Sequence, residues 1–285
     1  MNQICKIFDI TPQGYYKARV TKHIRGVDEG KILRHVHFHR IKMPKLGGNK
    51  LYRIIKPDLQ GMKIKLGRDK FFDILRKNEL LIKKKKCYTR TTNSFHRFKI
   101  YDNLIKDVEP IRTFEILVSD ITYISASSRF YYLALTSDLY SRKIVGWDFS
   151  ESLSMEGSLR ALEMALKSKA KVEVKAKNKN KYNVSETLPE SIHHSDRGLQ
   201  YCSKLFTDCL TDNKMRISMA EKGNPYENAV AERINGILKD EFMLKETFAS
   251  KELAYKAITE AIETYNNLRP HMSLGYMTPN QKCAA

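Results

Sequence analysis

The segment Ile192-His193-His194-Ser195-Asp196-Arg197-Gly198 closes an apolar-flanked run, Leu188 to Ser195, with a carboxylate and an immediate turn signal. Such a run reads as a strand that delivers Asp196 at its C-terminal tip, where an acid suits chemistry better than core packing. Downstream stands Asn228-Ala229-Val230-Ala231-Glu232-Arg233, with 35 residues between Asp196 and Glu232. From Tyr226 to Phe242 apolar residues recur at helical spacing, with Val230, Ile234, Ile237 and Leu238 on one side. Asn228, Glu232, Asn235 and Lys239 form a polar stripe on roughly the opposite side. Pro225 suits the helix start and Asn224 its cap. Taken alone, Glu232 is an acid on a solvated helix face.

A third acid changes that reading. Val118-Ser119-Asp120-Ile121-Thr122-Tyr123 lies within Phe114–Ile124, whose Phe, Ile, Leu, Val and Tyr content predicts a buried strand. A carboxylate there is costly unless it is hydrogen-bonded, paired or bound to metal. Two further strands, Phe130–Asp138 and Lys143–Phe149, are set off by turns at Ser127-Ser128 and Tyr140-Ser141, which predicts an antiparallel meander. A helix is expected from Ser154 to Lys167, then a lysine-rich exposed loop over 169–181. The strand ending at Asp196, a helix from Leu199 to Thr211, a short strand Met215–Met219 and the Glu232 helix complete an α/β plan with a mixed sheet. Ser250 to Asn267 reads as an amphipathic helix with Leu253, Ala257, Ile258 and Ile262 on its apolar face.

The length of 285 residues allows more than one unit. We divide the chain into a helical, basic region at 1–105, an α/β core at 106–245 and a helical tail at 246–285. Lys and Arg number 51 against 32 acids, a net charge of +19, which calls for a polyanionic partner such as nucleic acid. No apolar stretch reaches the roughly 18 residues of a membrane span, and Met1–Ile10 lacks a signal-peptide core, so a cytoplasmic protein is expected. The five cysteines are scattered without a CxxC pair, which fits a reducing compartment.

In the basic region, Thr11-Pro12-Gln13-Gly14-Tyr15-Tyr16 reads as a short helix and turn. His35, His37 and His39 alternate. That is not the usual ligand spacing on a helix, and they read as surface or DNA-facing histidines. Lys50 to Leu81 reads as helix, glycine-containing turn, helix, in the manner of a helix-turn-helix. Lys83, Lys84, Lys85 and Lys86 form a run that is either a phosphate-contacting arm or a solvated linker.

Five segments carry a family resemblance. They are Asp120–Tyr123; Asp138-Leu139-Tyr140-Ser141-Arg142-Lys143-Ile144-Val145-Gly146-Trp147; His194–Tyr201; Asn228–Arg233; and Tyr265-Asn266-Asn267-Leu268-Arg269-Pro270-His271 with Thr278-Pro279. In this order the chain resembles the catalytic, second-frame subunit of bacterial insertion-sequence transposases of the insertion-sequence-three family. The resemblance implies an RNase H-like, retroviral-integrase-like core with Asp-Asp-Glu catalysis. By position it implies Asp120, Asp196 and Glu232 as triad and metal ligands for two Mg²⁺ or Mn²⁺ ions. It implies DNA contact at Lys239; Arg197, beside Asp196, is a further candidate. It also implies double-stranded DNA (element ends and target) as substrate, a homo-oligomer on DNA, an upstream-frame helix-turn-helix partner or fusion, and a place on the bacterial nucleoid.

The expected chemistry suits the residue types. Hard divalent ions prefer carboxylate oxygens. Two of them about 3.5–4 Å apart activate the attacking oxygen and stabilise the leaving one in an in-line displacement. A water nucleophile releases a 3′-OH, and that 3′-OH then attacks a second phosphodiester. The rival readings are a metal nuclease of the same fold that never joins strands, and a silent DNA-binding repressor.

Overall fold

The computed structural model describes residues 7, 10–82, 99–178, 190–221 and 228–285. The chain divides into two compact units, Met1–Lys84 and Lys85–Ala285. No described helix is long and apolar enough to cross a membrane.

Among the described residues, three helices build the first unit: α1 (Pro12–Lys42), α2 (Gly48–Gly61) and α3 (Arg68–Lys77). The expected short helix and turn after Thr11 is instead the start of one 31-residue helix. Thr11 caps it, its hydroxyl accepting from Gly14 N at 3.0 Å, and Pro12 occupies the first turn, where its missing N–H costs nothing. The core comes from Ile32, Val36 and Met43 of α1 and its end, Leu51, Ile55 and Leu59 of α2, and Phe71 and Leu75 of α3. The helix–turn–helix order expected over 50–81 is present as α2 and α3. The run Lys83, Lys84, Lys85 and Lys86 lies outside the described residues.

The second unit is built on a five-stranded mixed sheet in the order β3-β2-β1-β4-β5. β1 (Ile116–Ala126), β2 (Arg129–Asp138) and β3 (Ile144–Ser150) form the expected antiparallel meander. Ser127 and Ser128, both with positive φ, make the two-residue turn between β1 and β2; their φ values of 49° and 58° match the twist a tight hairpin needs. β4 (Ser191–Ser195) pairs parallel with β1, and β5 (Met215–Met219) parallel with β4.

α4 (Met155–Asn178) covers β3 and β2. At Gly146 the approach is so close that an added Cβ would stand 1.9 Å from Ala161 O. This helix runs well past the expected end at Lys167. Lysine, alanine and glutamate are good helix formers, so a segment poor in large apolar residues propagates the helix without needing a buried face. The expected single helix after Leu199 is two, α5 (Leu199–Cys202) and α6 (Lys204–Asp212). They break at Ser203, whose backbone is extended and whose hydroxyl donates to Gln200 O at 3.0 Å.

α7 (Ala229–Glu241) packs on β1 and carries Glu232. The expected Asn224 and Pro225 start signals lie outside the described residues. α8 (Lys251–Asn267) is capped by Ser250 and followed by α9 (Pro279–Ala284). Its buried face is Ala254, Ile258, Ala261, Ile262 and Tyr265, whereas Leu253, expected on that face, is 53% exposed. Asn266 explains the seating of α8: its amide accepts from Ile144 N and donates to Ile144 O, completing the hydrogen bonds of the β3 end.

Candidate active site

β1 and β4 pair in parallel, with Val118 opposite His194. Asp120 and Asp196 each lie two residues further on. Asp196 stands just past the end of β4, and the register carries both acids toward the same end of the neighbouring strands, close enough for the charge of Asp196 to act on Asp120. The strand signal around Asp196 thus ends where a carboxylate can meet Asp120.

Each acid is held by local donors. Asp120 Oδ1 accepts from Ile121 N at 2.9 Å, and Asp120 Oδ2 accepts from Asn235 Nδ2 at 2.7 Å. Asp196 Oδ1 accepts from Gly198 N at 3.0 Å, a turn that uses the Arg197-Gly198 signal read from the sequence. Burial, then the charge of Asp196, push the Asp120 carboxyl up to about 7 against the hydrogen bonds that favour its ionised form; Glu232 pushes it in the same direction. Burial and Asp196 likewise raise Glu232 above the ordinary glutamate range. The three acids therefore sense one another, and burial together with their mutual repulsion outweighs the donors at Asp120.

α7 brings Glu232, Asn235 and Lys239 to this place on one stripe. The stripe is not the solvated face that its polarity suggested. Asn228 and Asn235 are buried, Asn228 donating to Ser119 O at 3.4 Å, while Glu232 remains exposed. Lys239 is half-buried; burial pushes its ammonium below the usual lysine range while the Asp120 carboxylate pulls it back up, which sets it beside the acids. Arg197 follows Asp196 in the chain, but its Nε donates to Ala220 O at 2.8 Å just beyond β5, so at least that part of the guanidinium ties the loop to the sheet.

Three neighbours were not singled out by the sequence. Asn235 was legible only as one position of the polar stripe, with no signal for its bond to Asp120. Tyr201 is buried, and burial with the charges of Asp120 and Asp196 holds its phenol well above the usual range, so it stays a proton donor. His193, also buried, is pushed down to about 3 by burial and by His194; this neutral ring meets Ser119 Oγ at 2.9 Å, under the strand that carries Asp120. His194 is equally buried, its Nδ1 2.8 Å from Ser218 Oγ. Both histidines thus pin β1, β4 and β5 together.

The donor set fits a hard divalent ion. It consists of carboxylate oxygens that repel one another, together with the buried Asn235 Oδ1, which has no hydrogen-bond partner. A cation there offsets both the burial and the repulsion that raise Asp120.

The far C-terminal motif is architectural. Arg269 is buried and makes a two-pronged pair with Glu241, Nε and Nη2 each at 2.8 Å, and its Nη1 meets His271 Nε2 at 2.9 Å. Asp138, first residue of the Asp138–Trp147 segment, is also architectural. Its carboxylate accepts from Phe114 N and from Ser141 N, both at 3.0 Å, locking the turn between β2 and β3.

Two family models described as integrase core domain match residues 111–225 and 213–279. An uncharacterized 31 kDa protein of insertion element IS600 from Shigella sonnei is 29% identical over 279 residues, covering 97% of this chain and 96% of that protein. Transposase InsF for insertion sequence IS3A from Escherichia coli K12 is 31% identical over 209 residues, 73% of this chain and 67% of the relative. Among solved structures, the HTLV-2 integrase catalytic core domain in complex with magnesium, in its trimeric form, is 17% identical. It covers 61% of this chain and 98% of its own, with a TM-score of 0.42.

Proposed function

The chain belongs to the IS3 family of insertion-sequence transposases, with an RNase H-like integrase core, and from that premise we propose that Asp120, Asp196 and Glu232 are its catalytic triad. The observation that supports this reading is that the charges of both Asp196, just past β4, and Glu232, on α7, act on the buried carboxyl of Asp120 on β1. The reaction is metal-dependent cleavage at the element's ends followed by strand transfer.

Asp120, Asp196 and Glu232 would hold the divalent metal, Mg²⁺ or Mn²⁺, and two ions are expected. When bound, they supply activation of the attacking oxygen and stabilisation of the leaving oxygen. The protein's own groups do the rest. Asn235 fixes the rotamer of Asp120 and favours its ionised form. Lys239, on the same stripe, takes a DNA phosphate next to the acids. Tyr201 and His193, both buried and uncharged, support β1 and β4 without adding charge. Outside the core, the α2–α3 pair and the Lys83–Lys86 run bind double-stranded DNA as position-fixing contacts, and Arg197 is a weaker candidate. The working assembly is a homo-oligomer on DNA, joined or fused to an upstream-frame partner, in the bacterial cytoplasm at the nucleoid.

The test is cleavage of duplex oligonucleotides taken from the DNA flanking the gene, with Mg²⁺ or Mn²⁺. Wild type is compared with Asp120→Asn, Asp196→Asn and Glu232→Gln. Nicks at a defined 3′ end that vanish in all three variants, with DNA binding retained, support the triad. Joined products separate a transposase from a nuclease that only hydrolyses. Cutting that survives in any variant overturns the assignment. If wild type binds without cutting, the assay is repeated with the upstream frame fused.

A further inference from the structure

In the N-terminal unit, the alternation of His35, His37 and His39 conceals a pair four residues apart. One helical turn brings His35 and His39 to the same side of α1, while His37 points away and is exposed. That side faces α2. His39 continues the buried row Ile32, Val36 and Met43, and Asp58 of α2 stands at the edge of the facing row Leu51, Ile55 and Leu59. The donor atoms of His35, His39 and Asp58 all lie within 4.8 Å of one another. This places two imidazoles and one carboxylate at the rim of the α1–α2 seam.

We propose that His35, His39 and Asp58 form a binding site for a transition-metal ion of the Zn²⁺ class, which clamps α1 to α2. Two observations carry the proposal. His35 Nδ1 lies 3.6 Å from Asp58 Oδ2. Two ligands of one tetrahedral zinc, with bonds of about 2.0–2.2 Å, are about 3.4 Å apart, so that pair already has almost the ligand-to-ligand spacing. His39 Nε2 is shut off from solvent and has no hydrogen-bond partner, an unusual state for a buried polar atom and one that a ligand would explain. Two nitrogens and one oxygen favour zinc, cobalt or nickel over magnesium, which prefers an all-oxygen shell. The site is chemically distinct from the all-oxygen site of the core. Three protein ligands leave a fourth position for water.

The experiment uses the full chain carrying Asp120→Asn, Asp196→Asn and Glu232→Gln, so that the core acids do not compete for the ion. Zn²⁺ is titrated calorimetrically and Co²⁺ is followed by its visible absorption. The expected result is one ion per chain, with the intense bands of a tetrahedral or five-coordinate Co²⁺. His39→Ala and Asp58→Asn should each weaken Zn²⁺ binding by more than about 100-fold, beyond the roughly 10–100-fold typical of outer-shell losses. His37→Ala, on the exposed side, should leave it unchanged, and circular dichroism of each variant checks that the helices persist. The proposal is overturned if the chain takes up no Zn²⁺. It is equally overturned if uptake is the same in His39→Ala, Asp58→Asn and their parent, which would assign the ion to cysteines or other surface groups. Neither readout depends on DNA cleavage, so failure here leaves the triad untouched.

Discussion

Asn235 Nδ2 donates to Asp120 Oδ2 at 2.7 Å, joining α7 to β1 across 115 positions of sequence. The bond sits one helical turn from Glu232. It therefore couples the carboxylate of the central strand to the helix that supplies the third acid. A hydrogen bond to the ionised form lowers a carboxyl pKa, and here it opposes burial and the Asp196 charge. Asn235→Ala should push Asp120 above about 7. The alkaline shift should appear in the pH profile of Mn²⁺-dependent nicking, with metal affinity reduced by about tenfold. An unchanged pH profile would show that the amide does not control Asp120.

The raised Asp120 also makes a stability prediction for the metal-free protein. Its folded pKa, about 7, lies above its ordinary value of 3.8, so between these limits the folded state holds more protons than the unfolded one. Stability must then fall as pH rises from about 4 to about 7, by an order of 2–4 kcal/mol. Asp120→Asn cannot ionise and should flatten that slope, leaving the variant more stable than wild type at pH 8 in chelator. Added Mg²⁺ should stabilise wild type and not the variant. Thermal melts across pH give the comparison.

Gly146 is required by the contact between β3 and α4. A methyl group there would sit 1.9 Å from Ala161 O and 2.8 Å from Ala165 N, both backbone atoms of a helix that cannot yield locally. Gly146→Ala should therefore destabilise the core by about 2–3 kcal/mol or more, read from denaturant midpoints. A midpoint within error of wild type would contradict the close approach.

The buried Arg269–Glu241 pair should be costly to break from one side. Arg269→Ala leaves Glu241 without its two-pronged partner, and a loss of about 3–5 kcal/mol is expected. Replacing both residues with apolar side chains of similar volume should recover much of that loss. A double-mutant cycle by chemical denaturation measures the coupling; a DNA-contact role for Arg269 would instead appear as weakened binding at unchanged stability.

Lys239→Ala should weaken DNA binding across all sequences and reduce the salt dependence of affinity by about one phosphate contact. The half-buried ammonium lies on the same stripe as Glu232, so the effect on nicking should exceed the effect on binding. Binding isotherms at several salt concentrations and single-turnover nicking separate the two.

The strands of the core were legible because each is a short run of β-branched and aromatic residues between turn signals. Ser127-Ser128 and Arg197-Gly198 mark turns in the chain as they do in the sequence. Less legible were the lengths of α1 and α4, because a helix made of good helix formers does not need a regular apolar stripe. The break at Ser203 was also hidden, since it depends on a local side-chain bond rather than on any breaker residue.

The sequence by itself determined the residue types, the order of strands and helices, and the five motif segments that place the chain in its family. Local propensity and pattern decide these, and they are written along the chain. Only the tertiary structure decided which faces meet. It brought Asp120 within reach of the charge of Asp196, and it turned Asn235 of α7 inward to reach Asp120. It buried Arg269 against Glu241, and it gathered His35, His39 and Asp58 at one seam. The physical reason is the same each time. A polar side chain is read from sequence as solvated until packing removes its water, and then a partner distant in the chain must replace it.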